Sequence, residues 1–246
     1  MKTKLIAVLT LVAAFFIPVV SGAEKELSKE EFMLLARRKN QFPTYAKLYG
    51  VLQHRRRNAP VLSMPVYFGV ILHPDRTVGQ LVLDNKEGYM LGQAVNSGLT
   101  SVAPMNPNSS DKLGYVGVRA SDLTLSFLFC KPIREFANEN VGGVVPCRVI
   151  LLDDPANKEE IKVWLSKEHC FPLQAEFFRK NEKSPYRTLE ASGFTKKNDL
   201  YYVRKLRIEG PGWRTRIDFD ADRADIGKVD MSKPPRIVIK LEKEVK

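Results

Sequence analysis

Histidine, cysteine and tryptophan are scarce in this 246-residue chain, at three, three and two. His54, His73 and His169 make no pair at metal-ligand spacing, apart from the adjacent His169-Cys170, so no metal site is predicted. There is no G-x-S-x-G elbow and no Gly-rich phosphate loop; Gly142-Gly143 and Gly210-Pro211-Gly212 read as turns. Asp153-Asp154 and Glu159-Glu160 flank a turn and read as solvated turn charges. Carboxylates distant in sequence stay open as a pair, because only the fold decides whether they meet. The expectation is a protein that is not an enzyme, with no catalytic residue and no cofactor. An exported hydrolase on a β scaffold is the weaker alternative.

Acidic residues are also short, 28 against 39 basic, giving a formal charge of +11. Such a surface favours anionic partners, but Arg55-Arg56-Arg57 is the densest run and reads as a solvated strand end. Nucleic acid is not an expected partner for an exported chain. Long apolar runs are missing after Val20, so no later spanning helix is predicted. The one such run, Leu5 to Val20, follows Lys2 and Lys4 and precedes Ser21-Gly22-Ala23. That pattern is a secretory signal peptide over residues 1–23, with a membrane anchor as the alternative. No cysteine follows the small residues, so a lipoprotein anchor is not encoded. The expected location is the periplasm. Without Lys2 and Lys4 the charge is about +9.

Export permits a disulfide. Cys130, Cys147 and Cys170 allow three single bridges, each leaving one thiol over. The pairing favoured is Cys147 with Cys170, which flank one hairpin; the alternative is three small buried hydrophobes.

What is present is mostly strand pattern. Ser28-Lys29-Glu30-Glu31 is a capping box, and Phe32, Met33, Leu35 and Ala36 form an apolar stripe, so residues 28–39 are predicted as an amphipathic helix. From Phe42 onward the period becomes two, with ten to twelve strands and short turns. Trp213, Thr215, Ile217 and Phe219 alternate with Arg214, Arg216, Asp218 and Asp220, a half-buried antiparallel strand. "VYFGVIL", Val66 to Leu72, is apolar on both faces and needs two covers. The amphipathic helix is one candidate, and "SDLTLSFLFC", Ser121 to Cys130, is the other, as strand or as short helix. The fold class is mainly β: a curved antiparallel sheet or unclosed β-barrel, with the N-terminal helix and short helical lid elements. Residues 24–246 read as a single domain. Such a sheet can hold acyl chains at about 0.8 kcal/mol per buried CH₂, or its apolar face can be a filled core.

Four stretches carry a resemblance: "YAKLYGVLQHRRR", "VYFGVILHPDRTVGQLVLDN", "SDLTLSFLF" and "VPCRVILLDDPANKEEIKVWLSKEHCFPLQAEFFRKN". In order and spacing they resemble the LolA-like outer-membrane lipoprotein-sorting superfamily, over most of residues 28–220. The resemblance implies an unclosed β-barrel with capping helices and a hydrophobic cavity for lipid. It implies a carrier that moves lipids or lipoproteins towards the outer membrane, without covalent chemistry. The lining residues chosen by alternation are Phe32, Leu35, Val66, Phe68, Val70, Leu81, Leu83, Leu125, Phe127, Val163 and Phe177. The carrier of this superfamily bears an arginine before the Pro of the x-Pro turn, supporting its lid; here His73 stands there and the nearest arginine is Arg76. Either is a candidate lid contact, with His73 as a plain turn residue the alternative. The chain is expected to be a monomer whose partners are acyl chains or lipoproteins, with an inner- or outer-membrane protein as donor or acceptor. The same fold resembles the lipid-sensing domain of RseB-type stress regulators, so an envelope-stress sensor or protein-interaction module is the alternative function.

Overall fold

The computed structural model describes residues 27–37, 42–94, 99–106 and 111–242. The signal peptide expected over residues 1–23 lies outside them. Helix α1 spans Lys29–Arg37. Its capping box is formed: the Glu31 N–H donates to the Ser28 hydroxyl at 3.2 Å, and the Ser28 N–H donates to the Glu31 carboxylate at 2.8 Å. Two donors that the first helical turn cannot satisfy are thereby paired. Phe32 and Met33 are the buried face of α1.

Five antiparallel strands follow as a meander: β1 Thr44–Arg56, β2 Leu62–Leu72, β3 Arg76–Leu83, β4 Glu87–Ala94 and β5 Thr100–Pro104. The chain then turns helical in α2 (Lys112–Tyr115), α3 (Ala120–Thr124) and a 3₁₀ turn, Ser126–Phe129. A second run of strands starts with β6 Lys131–Val141, β7 Val145–Asp154, β8 Glu159–Ser166, β9 Pro172–Arg179 and β10 Arg187–Ser192. A small separate hairpin, β11 Thr195–Lys197 with β12 Leu200–Tyr202, precedes β13 Lys205–Gly210, β14 Trp213–Phe219 and β15 Asp225–Lys228.

Thirteen of these strands form one antiparallel sheet that does not close into a barrel. The order is β5-β4-β3-β2-β1-β14-β13-β10-β9-β8-β7-β6. β15 returns to β1, pairing Thr44–Lys47 after β14 has paired Gly50–Arg56. The edges are therefore β5 and β6, and the chain between them is the helical segment. That segment spans the gap between the edges: the Thr124 and Thr100 hydroxyls are 3.2 Å apart, joining α3 to β5, and the 3₁₀ turn lies against β7.

Inner-facing side chains of the sheet, among them Leu52, Val66, Leu83, Ile150, Val163, Phe177 and Ile217, pack in one cluster with Phe32, Met33, Leu113, Val116, Phe127 and Leu128 of the helical elements. "SDLTLSFLFC" is thus helical cover, not strand. The predicted alternation holds in β14, where Thr215, Ile217 and Phe219 are buried and Arg214 and Arg216 are exposed.

Val66 to Val70 are all buried, so the two covers demanded by the sequence both exist. One is the helical cover. The other corrects the expectation, which gave the covers to the amphipathic helix and Ser121 to Cys130: it is the C-terminal tail, which crosses the outer face of β2 and β3. Tyr67 donates to the Ile237 carbonyl at 2.5 Å. Gln80 donates to the Ile239 carbonyl at 3.0 Å and accepts the Ile239 N–H at 2.8 Å. A Cβ on Gly69 would collide with the Ile237 carbonyl, so glycine is what lets the tail lie this close. Gln80→Ala removes both bonds to Ile239 and should cost about 1–2 kcal/mol. Limited proteolysis should then cut within residues 233–242 faster than in the unaltered protein. An unchanged cleavage rate there would mean that Gln80 does not hold the tail.

Candidate functional site

The apolar inner face and its cover form the candidate site. The alternation that builds each strand delivers Val66, Phe68 and Val70 from β2, Leu81 and Leu83 from β3, Val163 from β8 and Phe177 from β9 to that face, all buried in one cluster. Phe32 and Phe127 meet them from the cover. Leu35 and Leu125 are partly buried against the same cluster. The residues chosen from sequence therefore converge on one face. Met33, on the apolar stripe of α1, also belongs to it, as do Leu113, Val116 and Leu128, whose short helical segments have too few turns to show a period. Leu125 links α3 to the 3₁₀ turn with φ +54°, a left-handed conformation costing a side-chain-bearing residue roughly 1–2 kcal/mol.

The cover is fastened by polar contacts as well as apolar ones. Arg37 on α1 donates to the carbonyls of Leu128 at 2.7 Å and Cys130 at 2.9 Å, tying one part of the cover to another. Arg148 on β7 donates to the Leu27 carbonyl at 2.8 Å, forks onto Glu135 at 2.6 and 2.7 Å, and places its guanidinium 4.6 Å from the Phe32 ring centre. Arg187 on β10 reaches up to Asp122 of α3, both fully buried. The same Asp122 carboxylate accepts the Arg119 N–H at 2.7 Å, capping α3. Arg119 then forks onto Glu159 of β8 at 3.0 and 3.2 Å, and Tyr186 donates to the same carboxylate. Burial alone would lower the Arg119 pKa, but Glu159 and Tyr186 more than offset this and raise it. Glu159 and Asp154 are thus buried, correcting their reading as solvated turn charges. The signal was available: Glu159 lies two residues before Ile161 and four before Val163, on the inner face of β8.

A further chain reaches the cover from below. Arg56 Nε donates to His54 Nε2 at 3.1 Å, His54 Nδ1 lies 2.8 Å from the Thr215 hydroxyl, and Thr215 donates to the Val116 carbonyl at 2.5 Å. Because Arg56 is a donor only, Nε2 accepts and Nδ1 carries the proton. Burial first, and the Arg56 charge second, lower the His54 pKa. The unfolded chain therefore takes up this proton at a higher pH than the folded one. The stability due to neutral His54 is complete above about pH 6.5 and is lost as pH falls through the lower folded value. His54→Gln should flatten the fall in urea midpoint between about pH 7 and pH 5. An identical slope in both proteins would remove His54 as the cause.

His73 and Arg76 lie in the β2–β3 turn, which the His73 N–H closes by donating to the Arg76 carbonyl at 2.8 Å. The Arg76 side chain is exposed beside Asp75 at 3.4 Å. The arginines that fasten the cover are instead Arg37, Arg119, Arg148 and Arg187. The disulfide expectation is also corrected, since Cys130, Cys147 and Cys170 are free thiols. Cys147 packs with Val149, Trp164 and Leu173 in a small outer cluster, whereas Cys170 packs in the inner one. Flanking one hairpin did not bring them together, because their side chains enter different clusters. Burial pushes the Cys130 thiol up to about 12 and Cys170 to about 11, so both stay protonated and poorly nucleophilic.

At the seam between cover and sheet lie two adjoining clefts. One, of about 440 Å³, is lined by Arg119, Asn157, Lys158, Glu159, Arg179, Lys180 and Tyr186. The other, of about 360 Å³, shares Arg119, Arg179 and Tyr186 and adds Arg187, Trp213 and residues of the α2 loop, including Gly117. Gly117 has φ +70°, and a Cβ there would strike the Trp213 ring.

An unclosed antiparallel sheet whose edges are bridged by a helical cover is the architecture of the LolA-like fold, and the chain has that fold. A DUF1329 family protein from Desulfovibrio piger is similar to it with a TM-score of 0.61 and 16% identity, over 78% of this chain and 91% of that one. A domain from Vibrio parahaemolyticus, classed with outer membrane lipoprotein-sorting proteins, has a TM-score of 0.60 and 15% identity, over 80% and 92%. At these identities the likeness is one of fold. No protein-family model matches the chain, and no curated protein matches it.

Proposed function

We propose that this protein is a periplasmic carrier that holds the acyl chains of a lipid or lipoprotein against the inner face of its sheet, on the way towards the outer membrane. The observation that carries the reading is the helical cover. It closes an apolar face without contributing a strand to the ladder, and hydrogen bonds from Arg37, Arg148, Arg187 and Thr215 help to hold it. Water can replace such bonds, of which a neutral one contributes about 0.5–1.5 kcal/mol net and one from a guanidinium about 1.5–3 kcal/mol, the buried Arg187–Asp122 pair being the firmest of the fastenings. Lifting the cover therefore leaves every sheet hydrogen bond intact and exposes Phe68, Phe127 and Phe177. Acyl chains then take the place of Phe32 and Phe127, at about 0.8 kcal/mol per buried CH₂.

The reading assigns the protein no chemistry, and it therefore needs no nucleophile. The fold it shares with a lipoprotein-sorting domain supports an envelope location. Native mass spectrometry of residues 24–246, exported in a double-membraned bacterium and purified without detergent, tests it. A co-purifying acylated mass that disappears on organic extraction is the expected result. A bare mass that also ignores added fatty acid would overturn the carrier reading. A stoichiometric membrane-protein partner in a pull-down would then favour the interaction-module reading.

A further inference from the structure

We infer that the two seam clefts form a binding site for a phosphate group, and that in the working carrier this group is the headgroup phosphate of the lipid whose chains lie under the cover. The inference rests on the carrier reading for the lipid, though not for the phosphate.

The charge of the clefts is one-sided. Among the described residues, Arg119, Lys158, Arg179, Lys180 and Arg187 line them against a single carboxylate, Glu159. That carboxylate is already taken by the Arg119 fork and the Tyr186 hydroxyl. Arg187 is buried, with one guanidinium nitrogen donating to Asp122 and, at 3.3 Å, to the Gly117 carbonyl. Its other terminal nitrogen, Nη1, is buried with no hydrogen-bond partner among the described residues. A buried donor left unpaired is costly, and an anion entering the cleft would relieve it. Arginine forks match the oxygens of phosphate, and lysines at the rim add charge without fixing geometry. Glu182 lies 3.8 Å from Arg179 and Asp153 3.5 Å from Lys180, at the exposed outer ends of these side chains.

Position supplies the link to lipid. Arg119 and Gly117 belong to the cover segment, whereas Arg179, Arg187 and Trp213 belong to the sheet. A chain held between cover and sheet emerges at this seam. Its headgroup therefore meets the two clefts, with the Trp213 and Tyr186 rings walling the transition from apolar to charged.

Arg179→Gln with Lys180→Gln is the variant of choice, because these side chains are 67% and 50% exposed and the fold does not lean on them. Calorimetry on the mature chain compares dihexanoyl phosphatidic acid, dihexanoylglycerol and inorganic phosphate, at low and high salt. The unaltered protein should bind the phosphatidic acid at least about tenfold tighter than the diacylglycerol, with the gap shrinking in salt. The double variant should lose most of that preference and keep its diacylglycerol affinity. If inorganic phosphate binds and the variant weakens it while neither lipid binds, the phosphate site stands on free phosphate and the carrier reading fails. If both lipids bind equally and the variant changes nothing, the phosphate site is overturned while the carrier reading stands. If none of the three binds, both are overturned.

Discussion

Asp122→Ala is expected to lower the unfolding free energy by about 3–5 kcal/mol, a large part of the total for one domain. Asp122 is 1% exposed and Arg187 3%, so removing the carboxylate leaves a guanidinium buried without its counter-charge. The carboxylate also caps α3 through the Arg119 N–H, and that bond is lost too. The large figure comes from stranding a charge, not from the net value of the pair. Replacing both partners with apolar residues, Asp122→Leu with Arg187→Met, should therefore recover most of the loss. Urea unfolding of the single and double variants measures the coupling directly. A single variant that loses less than about 1 kcal/mol would show that the pair is hydrated and does not pin the cover.

Phe127→Ala should cost about 3–5 kcal/mol and also loosen the cover. The Phe127 ring meets Phe177 of β9 edge-on, with ring centres 5.9 Å apart and planes at 80°, joining the 3₁₀ turn to the sheet. Both side chains are buried, so truncation leaves a cavity that the neighbouring strands cannot collapse to fill. Because Phe127 lies on the cover, the loss should appear locally as well as globally. Hydrogen exchange of residues 120–130 should speed up more than that of β8 and β9. Equal acceleration everywhere would mean that cover and sheet open as one unit. The Phe127→Ala cavity should also accept a fatty-acid probe more readily if the carrier reading holds.

Much of the sheet is legible because strand alternation has a period of two, which β14 keeps along its length and β8 over its first half. The same alternation brought the predicted lining positions to one face, and the capping box of α1 was readable from four residues. Among the described residues fifteen strands stand where the pattern predicts ten to twelve, since β11, β12 and β15 are only three or four residues long. The cover was harder to read. α2, α3 and the 3₁₀ turn span four or five residues each, less than two helical turns. Ser121 to Cys130 was therefore open between strand and helix until packing against Phe177 chose the helix. The inward charges were partly legible. Arg187 shares its face of β10 with Leu189, and Glu159 shares its face of β8 with Ile161, which marks both as pointing into the core.

The amino-acid sequence by itself determined the elements: which residues make strands, which side of each strand is apolar, and where α1 begins. Periodicity and caps act within a few residues, so they need no knowledge of the rest of the chain. The tertiary structure alone decided the closures. It placed the C-terminal tail over Tyr67 and Gln80, some 160–170 residues away in sequence. It sent Cys147 and Cys170 into different clusters, and it joined the buried Asp122, Arg187 and Glu159 through the half-exposed Arg119 into one fastening at a basic seam. Charges and side chains separated by 40 to 170 residues interact only once the sheet has fixed their distance. At such separations a hydrogen bond or an ion pair depends on ångströms, and no local pattern of residues carries that information.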